Sequence, residues 1–271
     1  MMRTMAAAAL TLALGCGGGG DDPADASTVP DAAAQGTITF DWSLATPASD
    51  PLTCSDVAAA SVRITATPAI GGFAVVDAFT CTEGTGTTRG LDPGAYNLAF
   101  RLTATNGTLA EDVVMNGVTV TAGGNNDIGA VAFEVEPTGA IHFTVSAGAP
   151  NCDLVGDGGA GITALEIELV DDSDVCIPTD FCVGDDLGTA GCEGTTYSND
   201  CAGATTPCVD DTVVISTTGA LSGPHHLQTS GHRDLELCFS RDSQITIPGG
   251  NLDRDLGSQA LAQVCDIDAG A

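Results

Sequence analysis

Lysine is absent from this 271-residue chain, and its only strong cations are seven arginines set against 36 acidic residues, for a formal charge of −29. Such an imbalance repels nucleic acid and anionic lipid headgroups, whose recognition rests on basic patches. Aromatics are scarce as well: one Trp, two Tyr and eight Phe. Carbohydrate sites usually need exposed rings, yet Trp42 alternates with Ile38 and Phe40 as a core residue does. Several catalytic spacings are missing too. There is no Cys-x-x-Cys pair, which argues against a redox dithiol or a zinc knuckle. There is no His-Glu-x-x-His segment, and Gly219-Ala-Leu-Ser-Gly223 carries its serine one place too late for a nucleophile elbow. No apolar run reaches the roughly 20 residues that a membrane-spanning helix requires.

What is present begins with the cysteines. Eleven occur, and setting Cys16 aside leaves an even ten. Disulfides persist in oxidising compartments, so five bridges outside the cytoplasm are expected. The N-terminus agrees. Met1 to Met5 carry a single charge, Arg3, and Ala6 to Leu14 are apolar but for Thr11. The following Leu12-Ala13-Leu14-Gly15-Cys16 resembles the lipobox of bacterial lipoproteins, with Ala13 standing where leucine is usual. That resemblance implies a signal peptide over 1–15, cleavage before Cys16, lipidation of Cys16 and a membrane as partner through the acyl chains. Gly17 in place of an aspartate then favours the outer membrane, on its periplasmic or surface side. Residues 16–35 read as a flexible tether, since Gly17 to Gln35 hold four aspartates, two prolines and only Val29 above alanine in apolar size.

Beyond residue 35 the chain is written in period two. Ile38, Phe40, Trp42 and Leu44 alternate with polar neighbours, as do Tyr96, Leu98, Phe100 and Leu102, with turn residues between such runs. The one helical candidate is Val57–Ser61. The pattern then restarts. Gly36–Phe40 is echoed by Gly139–Phe143, Val62–Ala66 by Leu165–Leu169, Leu91–Tyr96 by Leu221–His226, and Val118–Gly129 by Ile245–Gly257. The expected fold is therefore all-β, with two tandem β-sandwich domains of similar fold over 36–136 and 137–271. On Leu91-Asp-Pro-Gly-Ala-Tyr96 and the strand after it, residues 36–135 resemble the carboxypeptidase-regulatory-like, prealbumin-type β-sandwich. That resemblance implies a non-catalytic accessory or adhesion module.

The second copy carries a Cys-rich acidic insertion, 171–211, with ten acidic residues, no basic ones and five cysteines. It reads as a stapled surface loop, the place where binding residues usually sit on a rigid scaffold. Calcium prefers such oxygen donors, and Asp171, Asp172, Asp174, Asp185 and Asp186 are the candidate ligands. Asn251–Gly257 superficially suggests a calcium loop, but its glycine is one place late and Ala262 falls where the closing glutamate belongs. His225, His226 and His232, with Asp234 nearby, invite copper or zinc, although a turn pair in solvent is the plainer reading and a strand would split His225 from His226.

Cys54 and Cys81, the only cysteines of the first domain, are expected to pair. By repeat correspondence Cys152 and Cys208 are their equivalents, and Cys238 with Cys265 would join neighbouring C-terminal strands. Cys176, Cys182, Cys192 and Cys201 are left to staple the insertion, in an order that stays open. The sequence thus points to a lipid-anchored cell-envelope protein with a binding or structural role, directed at calcium or at a basic envelope or extracellular partner. The other class is an exported hydrolase or a copper- or zinc-handling protein. If the anchor is right, Cys16→Ser releases the protein from membranes; a variant that stays with the membrane after a carbonate wash removes that assignment.

Overall fold

An extended chain places alternate side chains on opposite faces, so the period-two runs become strands that bury one face and wet the other. The computed structural model describes residues 33–187 and 191–265. The expected signal peptide, Cys16 and most of the tether lie outside the described residues. Near the start of the described residues, the Ala34 carbonyl accepts from Gly123 N at 3.1 Å and the Gln35 amide reaches Asp92 at 3.2 Å.

The first half contributes β1 (Thr37–Ala45), β2 (Pro51–Leu52), β3 (Ser61–Pro68), β4 (Val75–Thr80), β5 (Thr85–Thr87), β6 (Gly94–Thr103), β7 (Val113–Val120) and β8 (Asn125–Glu134). In one sheet β1 pairs with β2, β5 and, in parallel, β8; in the other the order is β4-β3-β6-β7. Between them lie Phe40, Trp42, Ile64, Leu98, Phe100 and Phe133, with the Phe40 and Phe100 rings 4.9 Å apart. Trp42 is in this core, and its indole N–H is satisfied by the Cys81 carbonyl at 2.9 Å. Val57–Ser61 is not a helix. Thr53 N is held by the Asp56 carboxylate at 2.7 Å and Ala59 N by the Cys54 carbonyl at 2.8 Å, which shapes a turn leading into β3. Among the described residues only two single 3-10 turns are helical, and no helix is long and apolar enough to cross a membrane.

The second half adds β9 (Thr138–Ser146), β10 (Ala164–Val170), β11 (Cys176–Ile177), β12 (Thr179–Val183), β13 (Thr195–Asn199) and β14 (Thr206–Pro207). It ends with β15 (Ile215–Leu221), β16 (Gly223–Arg233), β17 (Glu236–Ile247), β18 (Asp253–Ala260) and β19 (Ala262–Gln263). One sheet runs β13-β12-β15-β9-β18; the other runs β11-β10-β16-β17-β19, with β14 on β10. The layout of the first sandwich recurs, down to a parallel pairing of the opening strand β9 with β18, as of β1 with β8. A separate core forms around Ile141, Phe143, Ile167, Phe181, Ile215 and Ile247.

The register corrects one repeat correspondence by a residue. Gly36 bridges Leu91, whereas Gly139 lies opposite Ala220, and Gly94 and Gly223 open β6 and β16 opposite Val120 and Ile247. The counterpart of Tyr96 is therefore His225, not His226. Both are buried, and both bond the carbonyl four residues back: Tyr96 Oη to Asp92 O and His225 Nε2 to Leu221 O, each at 2.9 Å. Matching Leu91 to Leu221 by identity misplaced the frame, because the leucine side chain is what changed between the copies.

The insertion is likewise no loop. β12 and β13 form a hairpin that extends the β15-β9-β18 sheet, and Phe181 and Tyr197 enter the second core from it. Asn199 is buried too, its amide bonded to Ile167 O at 2.7 Å. The polar composition of the segment hid two short alternations, Thr179-Asp-Phe181-Cys-Val183 and Thr195-Thr-Tyr197-Ser-Asn199. The ten cysteines outside the N-terminal segment form the bridges Cys54–Cys81, Cys152–Cys208, Cys176–Cys201, Cys182–Cys192 and Cys238–Cys265.

The two sandwiches meet at a joint made largely of backbone. Gly249 N donates to Val57 O at 3.0 Å, Gly250 N to Glu136 O at 2.7 Å, and the Asn106 amide to Asp253 O at 2.6 Å. Leu252 packs against the first core. A Cβ on Gly249 would sit 2.9 Å from Glu136 O and from Val57 Cβ, and Gly250 holds φ 65° with Leu109 O where its Cβ would be. In β1 the Ala45 end faces this joint and the Thr37 end, beside Asn125, is the far pole.

If the β12–β13 hairpin is core and not decoration, Phe181→Ala costs about 3–5 kcal/mol. Guanidinium unfolding under non-reducing conditions measures it; a loss below about 1 kcal/mol contradicts the packing.

Candidate functional site

The polar outer face of the β12-β15-β9-β18 sheet gathers the groups of chemical interest. Cross-strand register sets Cys182 opposite Ser216, Ser216 opposite His142, and His142 opposite Asp255. One row of directly opposed residues thus crosses four strands. Ser216 points away from the core yet is only 4% exposed.

Asp185 is held beside this row. The N–H groups of Gly184 and Asp185 both donate to Val214 O, at 2.8 and 3.2 Å, and Gly184 takes φ 80° to make that turn. The Ser216 hydroxyl donates to Asp185 Oδ2, while Oδ1 is buried without a hydrogen-bond partner among the described residues. His142 Nδ1 lies 2.8 Å from Asp253 Oδ2, and its Nε2 is 3.5 Å from Asp255. Beside these groups is a cavity of about 340 Å³, lined among others by Asp180, Asp185, Cys192, Ser216 and Asp253; among the described residues no arginine lines it.

Asp180, Asp185 and Asp253 are the charged residues described along this cavity. The Ser216 hydroxyl donates to Asp185 and the His142 imidazole meets Asp253, so serine and histidine are not joined as the first two members of a triad. A low-dielectric wall with carboxylates along it concentrates positive charge.

The five aspartates singled out in the sequence fall in two places. Asp171 closes the β10–β11 turn, its Oδ1 accepting from Ser173 N at 2.8 Å and Val175 N at 2.9 Å. Asp172 and Asp174 stand exposed on that turn, and Asp174 adopts φ 59°. Asp185 belongs to the cavity, and Asp186, next to it in the chain, is exposed and has an interaction of its own. Among the described residues the one tight trio of potential ligands is Glu236, Cys238 and Cys265, whose two sulfurs are bonded to each other.

The histidines are also dispersed. His225 and His226 are on β16, not in a solvent turn, and face opposite sides of the sheet: His225 is buried, whereas His226 meets Asp242 at 2.9 Å on the outer face. His232 approaches Glu166 at 3.5 Å. The Asn251–Gly257 segment is structural: Gly257 N donates to Asp255 Oδ1 at 2.7 Å, and Gly129 N to Asp127 Oδ1 at 2.9 Å in the first copy.

Sequence reading missed the row of Ser216, His142 and Asp255. A signal existed in the repeat, because the equivalent row of the first sandwich is Thr87, Thr39 and Asp127, with the two hydroxyls 2.9 Å apart. Serine and histidine at the positions equivalent to two threonines mark where the second copy differs from plain sheet chemistry.

No family model matches the chain, and no curated protein matches it in sequence. Among solved structures, the Bacillus anthracis TIE protein overlaps 84% of the chain at 7% identity with a TM-score of 0.33; the chain spans only 34% of that protein. The shaft pilin SpaA from Lactobacillus rhamnosus GG overlaps 84% of the chain and 99% of its own length at 9% identity, with a TM-score of 0.26. The major pilin from Streptococcus pyogenes gives the same coverage at 10% identity and 0.26. Overlaps this loose assign neither a family nor a role.

The Asp242 hydrogen bond raises the His226 pKa above its usual value against opposing desolvation, and the Asp242, Asp172 and Asp174 charges add to the rise. A raised folded-state value means that protonated His226 favours the native state below the ordinary histidine range, and that this contribution fades as pH climbs through the raised value. Asp242→Asn should return the His226 titration toward the ordinary value in an NMR pH series, whereas an unmoved midpoint contradicts the pairing.

Proposed function

We propose that this is an exported, lipid-anchored protein of the cell envelope with a non-catalytic binding role, exercised by the acidic outer face of the second sandwich. The observation that carries the binding half is the cavity beside Cys182–Cys192, where Asp180, Asp185 and Asp253 are its charged lining and Asp185 Oδ1 lacks a partner among the described residues. Supporting the exported half are five disulfides, which suit an oxidising compartment. The lipobox-like Leu12–Cys16 supports the anchor, and the Leu91–Tyr96 turn supports affiliation with accessory sandwiches of the carboxypeptidase-regulatory-like kind. The partner is cationic: calcium, through Asp185 and its neighbours, or a basic segment of another envelope protein.

Charge sets the expected behaviour. An acidic surface binds cationic partners through an interaction that salt screens. Isothermal titration with calcium separates the two ligands. Heat that disappears in Asp185→Asn supports the ion, and no heat at millimolar calcium leaves the basic partner. Binding of an oligoarginine peptide that weakens about tenfold or more between low and high salt supports that second form; no binding of either ligand refutes the cleft as a cationic site.

A further inference from the structure

The β3–β4 hairpin ends in a tip that contrasts with the rest of this acidic molecule. From Thr65 to Val76 the chain reads Thr-Ala-Thr-Pro-Ala-Ile-Gly-Gly-Phe-Ala-Val-Val, twelve residues without a charge. Ile70 and Phe73 are each 94% exposed, on either side of Gly71 and Gly72, which turn at φ 56° and 110°. An Ile and a Phe side by side in water forfeit the burial free energy that drives such residues inside, so their position asks for an occupant.

The place of the tip identifies that occupant. It projects from the pole of the first sandwich farthest from the joint, next to Leu91–Tyr96, and Gln35 lines the same shallow cavity. Ala34 and Gln35, at the start of the described residues, lie at this pole. Charge there is nearly balanced: Arg89 pairs with Asp77 at 2.7 Å, and Asp92 is the one charged residue lining the cavity. Two side chains on a hairpin tip fall far short of the roughly 800 Å² per partner that a stable dimer buries. They are enough for the shallow insertion of an apolar group at a bilayer interface.

We propose that Ile70 and Phe73 insert into the membrane interface and hold the first sandwich pole-down on the bilayer. The proposal rests on the lipid-anchor reading only for bringing a membrane within reach. It adds a second membrane contact, one that acyl chains alone do not provide, and it faces zwitterionic lipid because the protein as a whole repels anionic headgroups.

The test uses the mature full chain with Phe73→Trp, mixed with phosphatidylcholine vesicles carrying brominated acyl chains. Trp42, buried at 8% exposure, gives a constant background. Leu235→Trp is the comparison, at a 98% exposed position of the second sandwich, remote from this pole. Quenching at position 73 and none at 235 supports insertion. Flotation with vesicles but no quenching at 73 overturns it and leaves the anchor standing. Flotation that survives in Cys16→Ser and falls about tenfold or more when Phe73→Asp is added supports insertion and shows that the tip holds the membrane without the anchor. Neither flotation nor quenching overturns both. A blue shift at 73 that grows with protein concentration in the absence of lipid makes a second copy the occupant and overturns the membrane proposal.

Discussion

The second sandwich depends on how the chain turns through Pro248, Gly249 and Gly250 into β18. Two glycines there let backbone approach backbone, with Val57 and Glu136 accepting from their N–H groups. From that turn Leu252 drops against the first core, and Asp253 and Asp255 are delivered alongside His142 in the parallel register of β9. The joint between sandwiches and the polar row of the cleft therefore share one origin. Gly139 belongs to the same constraint, since a Cβ there would collide with Pro248 O at 1.9 Å.

Much of the fold was legible because burial on one face of a strand writes itself into alternate residues. Ile38 to Leu44 and Tyr96 to Leu102 are inside on every second position, as their pattern required. The hairpin of β12 and β13 was not legible, since each strand shows only one large apolar residue, Phe181 or Tyr197, amid acids, threonines and a cysteine. Composition said loop, and tertiary pairing with β15 prevailed. The one-residue error at Leu91 has a similar root: residue identity is a weaker guide to register than the hydrogen bond each side chain makes. Tyr96 and His225 share a partner position while sharing little chemistry.

The site was the less readable part. Ser216, His142 and Asp255 are separated by 39 to 113 positions and meet only through strand pairing. Sequence proximity drew attention to Asp171, Asp172 and Asp174, which the fold uses to shape a turn and to surround His226 with negative charge. Neighbours in sequence thus became neighbours of something else, and Asp185 alone was carried to the cavity. Acidic density and site location are different properties of the insertion.

A joint built from main-chain atoms also has a bearing on how such a molecule can change over time. Apart from Leu252 and the side chains of Asn106 and Ser222, its contacts run between main-chain atoms, so most of the surface of both sandwiches is free to drift in composition without altering the angle between them. The two halves accordingly carry different residues at equivalent positions, Thr39 and Thr87 against His142 and Ser216, on the same strand geometry.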